Sequence, residues 1–515
     1  MLRTEFRHFT SITIALTLLG LCVASCGLQK TGKFKFPESG QYYELSFNGG
    51  KYIVSLESSN GDSASGFYYS CIEGPVAPRH GFSAGITRRS LILDTEGSTQ
   101  KINWKKIRFK AFTQPEFEEA DTRPFRERYS SFEEIPDLIY GNAKGYWTSL
   151  QGVEAEVSKA FTEGYIKSFK RRNLDLTLDL YLPDEPEGKK PLILFLHGGA
   201  FYVGDKREPA YLDFCRYFSS MGYITASMNY RLGFHLGKGE IERAGYTALQ
   251  DAHAAMRFLI SKADEYGIDT DRIFVAGSSA GSITALNLAF MTEKDRPASS
   301  FGGKGLFNGT DMGSIDGSGN DIKASFKIRA VANMWGAVSS IDILSNSGTD
   351  IISFHGDVDE IVPFGEGYPF SKAGENISKM LSEKMYGSAS IHEAAEANGL
   401  VSSFYPFPGE GHALNTSGKD KQPNDNHIFI REKMAGFFYR EIVPKDASIV
   451  DEGNGRYRLE GDVESVSWKA GGGFILETDG NEVTVLWQED APSGTLTASG
   501  RYPGGPGYLI SIDLF

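Results

Sequence analysis

Cysteine is scarce in this chain, with 4 residues in 515, and no two of them form a C-x-x-C pair. Cys22 and Cys26 lie in the N-terminal segment, so Cys71 and Cys215 remain for the body of the protein. We interpret both as small, buried apolar residues. Disulfide frameworks and cysteine-based metal or redox sites need paired or clustered thiols. The sequence therefore gives no indication of disulfides or of metal or redox chemistry.

An excess of basic charge is also lacking. The chain has 53 Lys and Arg against 66 Asp and Glu, which gives a net charge of -13. Nucleic-acid-binding proteins usually present a basic surface, so we expect no nucleic-acid partner. The apolar fraction of 40% and the charged fraction of 23% are typical of globular proteins. The length predicts two or three domains.

Long hydrophobic runs are absent except at the N-terminus, where residues 9–23 are apolar and follow two arginines. This run is too short for a typical membrane span and predicts a signal peptide. It ends in Val23-Ala24-Ser25-Cys26, which resembles a bacterial lipobox. The resemblance implies that Cys26 becomes the lipid-bearing first residue, with 1–26 as signal peptide and lipobox. We expect a cell-envelope protein held on a membrane through Cys26; an ordinary signal peptide of a secreted or periplasmic protein is the alternative.

The remaining chain divides by its hydrophobic pattern. Residues 27–112 begin as a polar tether and continue as short β-rich runs, two of them around Asn48-Gly49, which predicts a hairpin in a small β domain. Residues 113–150 are charged and irregular and are interpreted as a connecting segment. Residues 446–515 alternate over short runs separated by turn residues, which predicts a β-sandwich-like domain.

Residues 151–445 have the pattern of a catalytic α/β domain. Pro191–Leu196 and Ile224–Met228 are continuous apolar runs, as in buried parallel strands. A helix is predicted at about 241–265, and further strands at 330–335 and 351–354. Strands that alternate with helices predict a doubly wound, mostly parallel sheet. Residues 299–321 are rich in Gly, Ser, Asn and Asp and are interpreted as a surface insertion.

The pentapeptide Gly277-Ser278-Ser279-Ala280-Gly281 fits G-x-S-x-G. An apolar run precedes it and a helix-forming run, 282–290, follows it. Strand, tight turn and helix are the context of a nucleophile elbow, which holds a serine in a strained conformation at a helix N-terminus. Only small neighbours fit such a turn, which accounts for the two glycines. Ser279 is therefore the predicted nucleophile.

Two later segments offer an acid and a base. The predicted strand 351–354 runs into a loop with Asp357 and Asp359, and groups at the carboxyl ends of such strands are often catalytic. A glycine-flanked loop then carries His412, which completes the chain order Ser, Asp, His. Because the chain has nine histidines, a single one proves little. The others considered are a weaker candidate base, His427, and two expected to hold loops by hydrogen bonds, His197 and His355.

Residues 170–440 resemble an α/β-hydrolase of the carboxylesterase, lipase and feruloyl or acetyl-xylan esterase kind. The resemblance rests on the elbow, on His197-Gly198-Gly199-Ala200-Phe201, on 355–363, which fits H-G-x-x-D-x-x-V-P, and on short stretches such as 229–232 and 269–273. It implies that Asp359, rather than Asp357, is the acid. It also implies that the amides of Gly199, Ala200 and Ala280 bind the oxyanion. This sequence departs from the pattern of that family at three positions. Ser278 stands where many members have an acid, Ala200 stands in place of a third Gly, and Ser282 stands in place of a common Gly. None of these departures removes a catalytic group.

The expected function is hydrolysis of carboxylic esters through Ser279, His412 and Asp359 and an acyl-enzyme, with no metal or cofactor. The substrates expected are small-molecule or polysaccharide esters, including acylated or feruloylated carbohydrate, which the β domains would help to recognise. A serine exopeptidase on the same fold is one alternative, and a large propeller domain would favour it. A non-catalytic surface lipoprotein that binds carbohydrate is another.

Overall fold

The computed structural model describes residues 35–515 except 48, 73, 88–89, 96–97, 104–106, 150–169, 236, 238, 303–309 and 444–445. Cys26 and the predicted signal peptide lie outside the described residues. In the part of the chain that is described, no helix is long and apolar enough to cross a membrane.

The N-terminal strands are β1 (Tyr42–Phe47), β2 (Gly50–Ser59), β3 (Ser63–Ser70), β4 (Val76–Ala77), β5 (His80–Ile86), β6 (Leu91–Thr95), β7 (Ser98–Ile102) and β8 (Arg108–Ala111). All of them except β4 form a seven-stranded antiparallel sheet in the order β7-β6-β5-β3-β2-β1-β8. β1 and β2 are the predicted hairpin, and their register places Phe47 opposite Gly50.

The middle of the chain forms an eight-stranded sheet in the order β9-β10-β12-β11-β13-β14-β16-β19. β9 and β10 are antiparallel, whereas the six strands from β12 to β19 run parallel. The strands are β9 (Phe132–Gly145), β10 (Arg172–Pro183), β11 (Lys190–Leu196), β12 (Ile224–Met228), β13 (Ile268–Ser278), β14 (Ala330–Met334), β16 (Asp350–Gly356) and β19 (Ser402–Phe407); short strands outside it are β15 (Ala337–Val338), β17 (Glu366–Gly367), β18 (Met385–Gly387), β20 (Thr416–Ser417) and β21 (Gln422–Pro423).

Helices cover both faces of this central sheet. The side chains of β11 alternate between two cores: Leu192 and Leu194 share one cluster with residues of α2, α4 and α6, and Ile193 and Phe195 share the other with α1 and α7. The predicted doubly wound α/β fold is therefore confirmed. The helices are α1 (Pro209–Ser220), α2 (Glu240–Ser261), α3 (Ala263–Tyr266), α4 (Ala280–Phe290), α5 (Glu375–Leu381), α6 (Ser388–Ala397) and α7 (Asp425–Ile442), with 3₁₀ turns at Glu293–Asp295, Ala298–Phe301, Ile341–Asn346 and Ser371–Ala373.

The edge strand β9 corrects one interpretation made from the sequence. Residues 113–150 were expected to be a connecting segment, but Phe132–Gly145 is a 14-residue strand paired with β10. Most of its side chains are exposed or half-buried, and it contains Pro136 and several acidic residues. Edge strands tolerate proline and charge because one side makes no ladder hydrogen bonds. These features hide the alternation by which a strand is usually predicted.

The C-terminal strands form two sheets that contribute to one hydrophobic core, with Trp468 and Leu496 from one and Tyr457 and Trp487 from the other. One sheet has the order β22-β23-β26-β25 and the other β24-β27-β28. The strands are β22 (Ser448–Gly453), β23 (Arg456–Glu460), β24 (Ser465–Gly471), β25 (Gly473–Asp479), β26 (Glu482–Gln488), β27 (Thr495–Arg501) and β28 (Gly507–Asp513).

The N-terminal strand β4 pairs in parallel with β26, so the first and last parts of the chain share a sheet. Ile53 and Tyr69 from the N-terminal sheet pack in one cluster with Phe474 and Leu486 from the C-terminal sheet. The sequence pattern did not predict this contact, because it joins segments that are far apart along the chain.

Candidate active site

Ser279 lies at the turn between β13 and α4, with φ 53° and ψ -122°. Non-glycine residues seldom adopt such a conformation, which is strained. A Cβ on Gly277 would collide with the backbone of Gly281, and one on Gly281 would collide with the carbonyl of Leu196. Close packing of backbone against backbone therefore requires both glycines, and it holds Ser279 in the geometry of a nucleophile elbow.

The structure brings the three candidate catalytic side chains together. His412 Nε2 lies 2.8 Å from Ser279 Oγ, and His412 Nδ1 lies 2.7 Å from Asp359 Oδ2. Asp359 follows β16, and His412 follows β19. Since Ser279 follows β13, all three groups lie beyond the carboxyl ends of parallel strands, where such sheets place their functional residues.

Asp359 is fully buried but well provided with hydrogen-bond donors. Its Oδ1 accepts hydrogen bonds from the amides of Ile361 at 2.8 Å and Val362 at 3.1 Å. Burial alone would raise the pKa of this carboxyl, but hydrogen bonds from His355 and His412 outweigh it and hold the pKa below its usual range. A carboxylate only accepts hydrogen bonds. His412 Nδ1 therefore carries a proton, and Nε2 turns its lone pair to Ser279.

His355 is a second histidine on Asp359. Its Nε2 lies 3.2 Å from Asp359 Oδ2 and 3.3 Å from the Val362 carbonyl. Both neighbours are acceptors, so Nε2 is the donor and Nδ1 accepts from the Ser388 hydroxyl at 2.8 Å. His355 was predicted to hold its loop, which it does through the Val362 carbonyl, whereas its contact with Asp359 was not predicted. The spacing of four residues between His355 and Asp359 was the available signal.

Asn333, in β14, was not identified from the sequence. Its Nδ2 donates to Ser353 at 2.9 Å and to Ser388 at 3.0 Å, and its Oδ1 accepts from Ser282 at 2.6 Å. All of these side chains are buried. The Asn333 amide thus connects Ser282, in the helix after the candidate nucleophile, to Ser388, which donates a hydrogen bond to His355. The sequence feature that could have identified Asn333 is a single amide among the apolar side chains of β14.

The loop that carries the candidate oxyanion donors lies beside the elbow. Gly199 has φ 111° and Ala200 φ 53°, and a Cβ on Gly199 would collide with the Val203 carbonyl. Ala200 and Ala280 line the same cleft as Ser279. Ala280 is the first residue of α4, where the amides lack partners within the helix. Among the described residues, none accepts a hydrogen bond from the amides of Gly199, Ala200 or Ala280.

The loop is anchored by a tyrosine of α1. The amide of Gly198 donates to the Tyr211 hydroxyl at 3.1 Å, and that hydroxyl lies 2.6 Å from Ser278 Oγ. Tyr211 is buried, and burial raises the pKa of its phenol well above the usual value. Ser278 is therefore a hydrogen-bond partner of this neutral phenol.

The rival residues have other partners. Asp357 accepts a hydrogen bond from the amide of Gly409 at 2.7 Å. His427 Nε2 lies 2.8 Å from Asp213, and its ring stacks on Phe214 in the core. His197 Nδ1 lies 2.8 Å from the Gly198 carbonyl, and burial lowers the pKa of its imidazole. The structure brings none of these three side chains into contact with Ser279.

A cleft of about 900 Å³, which includes space open to solvent, leads to Ser279. Its walls come mainly from α2, α4 and the segment after Asp359, and the lining is largely apolar, with side chains such as Phe201, Ile241, Leu249, Ile283 and Val362.

Among the described residues no group of three or more His, Cys, Asp or Glu could hold a metal ion. The thiols of Cys71 and Cys215 are unpaired, and burial raises the pKa of Cys71 to about 11.

The sheet order, the strained serine between strand and helix, and the Ser–His–Asp contacts are together typical of the α/β-hydrolase class. Comparison with known proteins agrees with that class. Residues 178–351 match the BD-FAE family model. This range contains the loop that carries Gly199 and Ala200 and the elbow at Ser279, and it ends before Asp359 and His412.

Several curated relatives are esterases. Gut esterase 1 of Caenorhabditis elegans is 33% identical over 115 residues, which are 22% of this chain and 20% of the relative. Para-nitrobenzyl esterase of Bacillus subtilis is 32% identical over 136 residues, 26% of each chain. Isoprenylcysteine alpha-carbonyl methylesterase of Arabidopsis thaliana is 26% identical over 223 residues, 38% of this chain and 49% of the relative. The chain thus spans between a fifth and a half of the length of these relatives.

The solved structures that match part of this chain include native esterase 2 of Thermogutta terrifontis. It is 21% identical, with a TM-score of 0.36, and the alignment covers 52% of this chain and 88% of the other.

Proposed function

We propose that this protein hydrolyses carboxylic esters, with Ser279 as nucleophile, His412 as general base and acid, and Asp359 as the residue that orients the imidazole. The observation that carries the proposal is the continuous hydrogen-bonded line from Ser279 through His412 to Asp359, with distances of 2.8 and 2.7 Å. A strained serine, a correctly oriented base and a buried carboxylate are together the parts that activate a serine hydroxyl.

In the first half of the reaction, Ser279 Oγ attacks the ester carbonyl carbon while its proton passes to His412 Nε2. The carbonyl oxygen becomes an oxyanion that the amides of Gly199, Ala200 and Ala280 bind, and one such donor contributes about 10²–10³ in rate. The bond from the carbonyl carbon to the alcohol oxygen then breaks. His412 gives its proton to that oxygen, and the alcohol leaves an acyl group on Ser279.

In the second half, water attacks the acyl-enzyme. His412 accepts a proton from the water, the oxyanion forms again at the same amides, and the bond between the acyl carbon and Ser279 Oγ breaks. Ser279 recovers its proton from His412 and the carboxylic acid leaves. Throughout, the Asp359 carboxylate stabilises the imidazolium and keeps its Nδ1 protonated.

The substrates proposed are small acyl esters and acyl groups linked to carbohydrate. The mainly apolar cleft supports an uncharged acyl or aryl group beside Ser279. The two β-rich regions are proposed to contact the carbohydrate.

A propeller domain would favour the exopeptidase alternative. The described strands before the central sheet form instead one antiparallel sheet and the two-residue strand β4.

The test uses the full chain and its Ser279→Ala variant with para-nitrophenyl acetate and butyrate. We expect turnover to fall by about 10⁶ on loss of the nucleophile. Ser339→Ala is the matched control, because Ser339 lines the same cleft but is exposed and takes part in none of the hydrogen bonds of the triad. A fluorophosphonate should label Ser279 alone. Equal activity of the Ser279→Ala variant and the wild type would contradict the proposal.

A further inference from the structure

The helix α2 forms one wall of the cleft that leads to Ser279. The residues of α2 that line this cleft are Ile241, Glu242, Gly245, Tyr246 and Leu249. Because successive residues of a helix are turned by about 100°, these positions occupy an arc of about 140° on one side of α2. Glu242 lies about 30° from the middle of that arc. Its side chain therefore leaves the helix on the side that borders the cleft.

The carboxylate of Glu242 has no partner in the part of the chain that is described, because it forms neither an ion pair nor a hydrogen bond there. Glu242 is half-buried, so part of its surface is open to solvent. The next residue, Arg243, is turned by about 100°, and its guanidinium donates to the carbonyls of Ser299 and Thr310. Glu242 thus presents an accessible and uncompensated negative charge to the cleft.

The other charged side chains of the cleft do not offset this charge. Among the described residues that line it, Lys384 is the one basic residue, and its ammonium lies 2.7 Å from the Glu366 carboxylate. Glu383 lines the cleft as well and adds a second carboxylate. A cleft with apolar walls focuses the field of the charges that border it. An ester in this cleft therefore meets a negative potential along the wall that α2 forms.

On the basis of the esterase activity proposed above, we propose that Glu242 determines the charge that a substrate can carry. The cleft then selects esters whose arm beside α2 is neutral or cationic, and it discriminates against arms that carry a carboxylate. The corresponding substrate class is esters of neutral carbohydrates rather than of uronic acids, with acyl groups from monocarboxylic acids. At a separation of about 6 Å and an effective dielectric constant of about 40, repulsion between two unit charges corresponds to about tenfold in kcat/KM.

The test uses two series of esters, each with an anionic, a neutral and a cationic member of similar size. The first series varies the alcohol arm, with para-acetoxybenzoate, para-acetoxybenzamide and para-acetoxybenzyl trimethylammonium. The second varies the acyl arm, with para-nitrophenyl esters of straight-chain acids that end in a carboxylate, an amide or a trimethylammonium group. For each charged member, kcat/KM is divided by that of the neutral member, and comparison of these ratios between enzymes cancels the intrinsic reactivity of the esters.

The variant Glu242→Gln removes the charge and keeps the size of the side chain. We expect its anionic-to-neutral ratio to exceed that of the wild type by about tenfold in at least one series, and its cationic-to-neutral ratio to be lower. Glu432→Gln is the matched control, because it removes one carboxylate from an exposed position on α7, and it should leave both ratios unchanged. At about 1 M salt, where the screening length is about 3 Å, the wild-type ratios should approach those of the Glu242→Gln variant.

An anionic-to-neutral ratio that is the same in the wild type and the Glu242→Gln variant in both series overturns the inference. Equal changes in the Glu432→Gln variant also overturn it, because they assign the effect to net charge. If the Glu242→Gln variant fails to fold, wild-type ratios that do not respond to salt have the same consequence. Absence of any hydrolysis of the neutral esters by the wild type would instead contradict the proposed function, so the two failures are distinct.

Discussion

The Tyr211 hydroxyl lies 2.6 Å from Ser278 Oγ and accepts a hydrogen bond from the Gly198 amide at 3.1 Å. One buried phenol therefore joins the loop that carries Gly199 and Ala200 to the residue before the nucleophile. This link, together with the pairing of β11 with β13, holds the loop of Gly199 and Ala200 beside the elbow of Ser279.

We expect Tyr211→Phe to lower kcat about tenfold with little change in KM. The substitution leaves the Gly198 amide unpaired and loosens the oxyanion loop, at a cost below the ~10²–10³ of losing a donor outright. The affinity of a trifluoromethyl ketone inhibitor should fall in parallel with kcat/KM. Ser278→Ala should have a smaller effect, and the double variant should be no worse than Tyr211→Phe. A raised KM at unchanged kcat would contradict the positioning role.

The two aspartates after β16 should differ sharply when each is replaced by Asn. Asp359→Asn removes the acceptor that keeps His412 Nδ1 protonated, and a comparable change in a serine protease costs about 10⁴ in turnover. Asp357 accepts only from a loop amide in the described structure, so Asp357→Asn should stay within a fewfold of the wild type. Steady-state kinetics on one ester decides between them, and the reverse ranking would assign the acid role to Asp357.

His355 should act through Asp359. His355→Phe removes a donor to the carboxylate and leaves Ser388 without its acceptor, so we expect kcat to fall by about 10- to 100-fold with KM nearly unchanged. His355→Gln keeps an N–H donor and should recover part of the loss. If both variants lose activity equally while their melting temperatures match that of the wild type, His355 does not act through its hydrogen bond to Asp359.

Glu441 on α7 predicts a pH-dependent stability. Burial and, to a lesser extent, the nearby Asp350 raise the pKa of its carboxyl to about 7, against the opposing effect of Arg329. The pKa in the folded protein exceeds that in the unfolded chain. The contribution of Glu441 to the free energy of unfolding is therefore complete below about pH 4 and is lost as the pH rises through about 7. Because Glu441 is only partly buried and solvent screens its interactions, we expect a loss of about 1–2 kcal/mol rather than the full shift.

Glu441→Gln should remove this dependence. Its melting temperature should equal that of the wild type near pH 5 and exceed it near pH 8, whereas Glu432→Gln, an exposed change on the same helix, should follow the wild type at both. A constant difference between the Glu441→Gln variant and the wild type at the two pH values would exclude ionisation of Glu441 as the cause.

The predicted lipid at Cys26 is tested in the cell. We expect the protein to sediment with membranes, to stay there in high salt and to be released by detergent, because more than one acyl chain anchors firmly. Cys26→Ala should block lipid attachment and normal maturation, whereas Cys71→Ala should leave both unchanged. A fully soluble wild-type protein without added mass at Cys26 would identify the segment as an ordinary signal peptide.

The central fold was predictable because its signals are local. Continuous apolar runs such as Pro191–Leu196 identify buried parallel strands, and the two glycines around Ser279 form a short motif, although the contact that requires Gly281 is with Leu196 of β11. The strand β9 was missed because an edge strand with a proline and many acidic residues lacks the alternation on which prediction depends.

The candidate site was predictable only in part. Ser279, His412 and Asp359 were named in advance, but the choice between Asp359 and Asp357 rested on resemblance alone. Tyr211 and Asn333 remained hidden, because each joins elements distant in sequence and has no motif of its own, and the contact of His355 with Asp359 had only a four-residue spacing to indicate it. Contacts of this kind depend on tertiary packing, which a pattern along the chain does not record.

The pairing of β4 with β26 has a consequence for how the molecule folds. Tyr69 and Asp490 are in contact although 421 residues separate them in the chain, so a sheet that begins near the N-terminus is completed only after the last strands are made. Loop closure over such a distance is slow to nucleate, and it leaves strand edges and apolar side chains such as Phe474 without cover until it occurs. A nascent chain would therefore hold an unfinished edge through almost all of its synthesis, and separate expression of either β-rich region would expose that edge to aggregation.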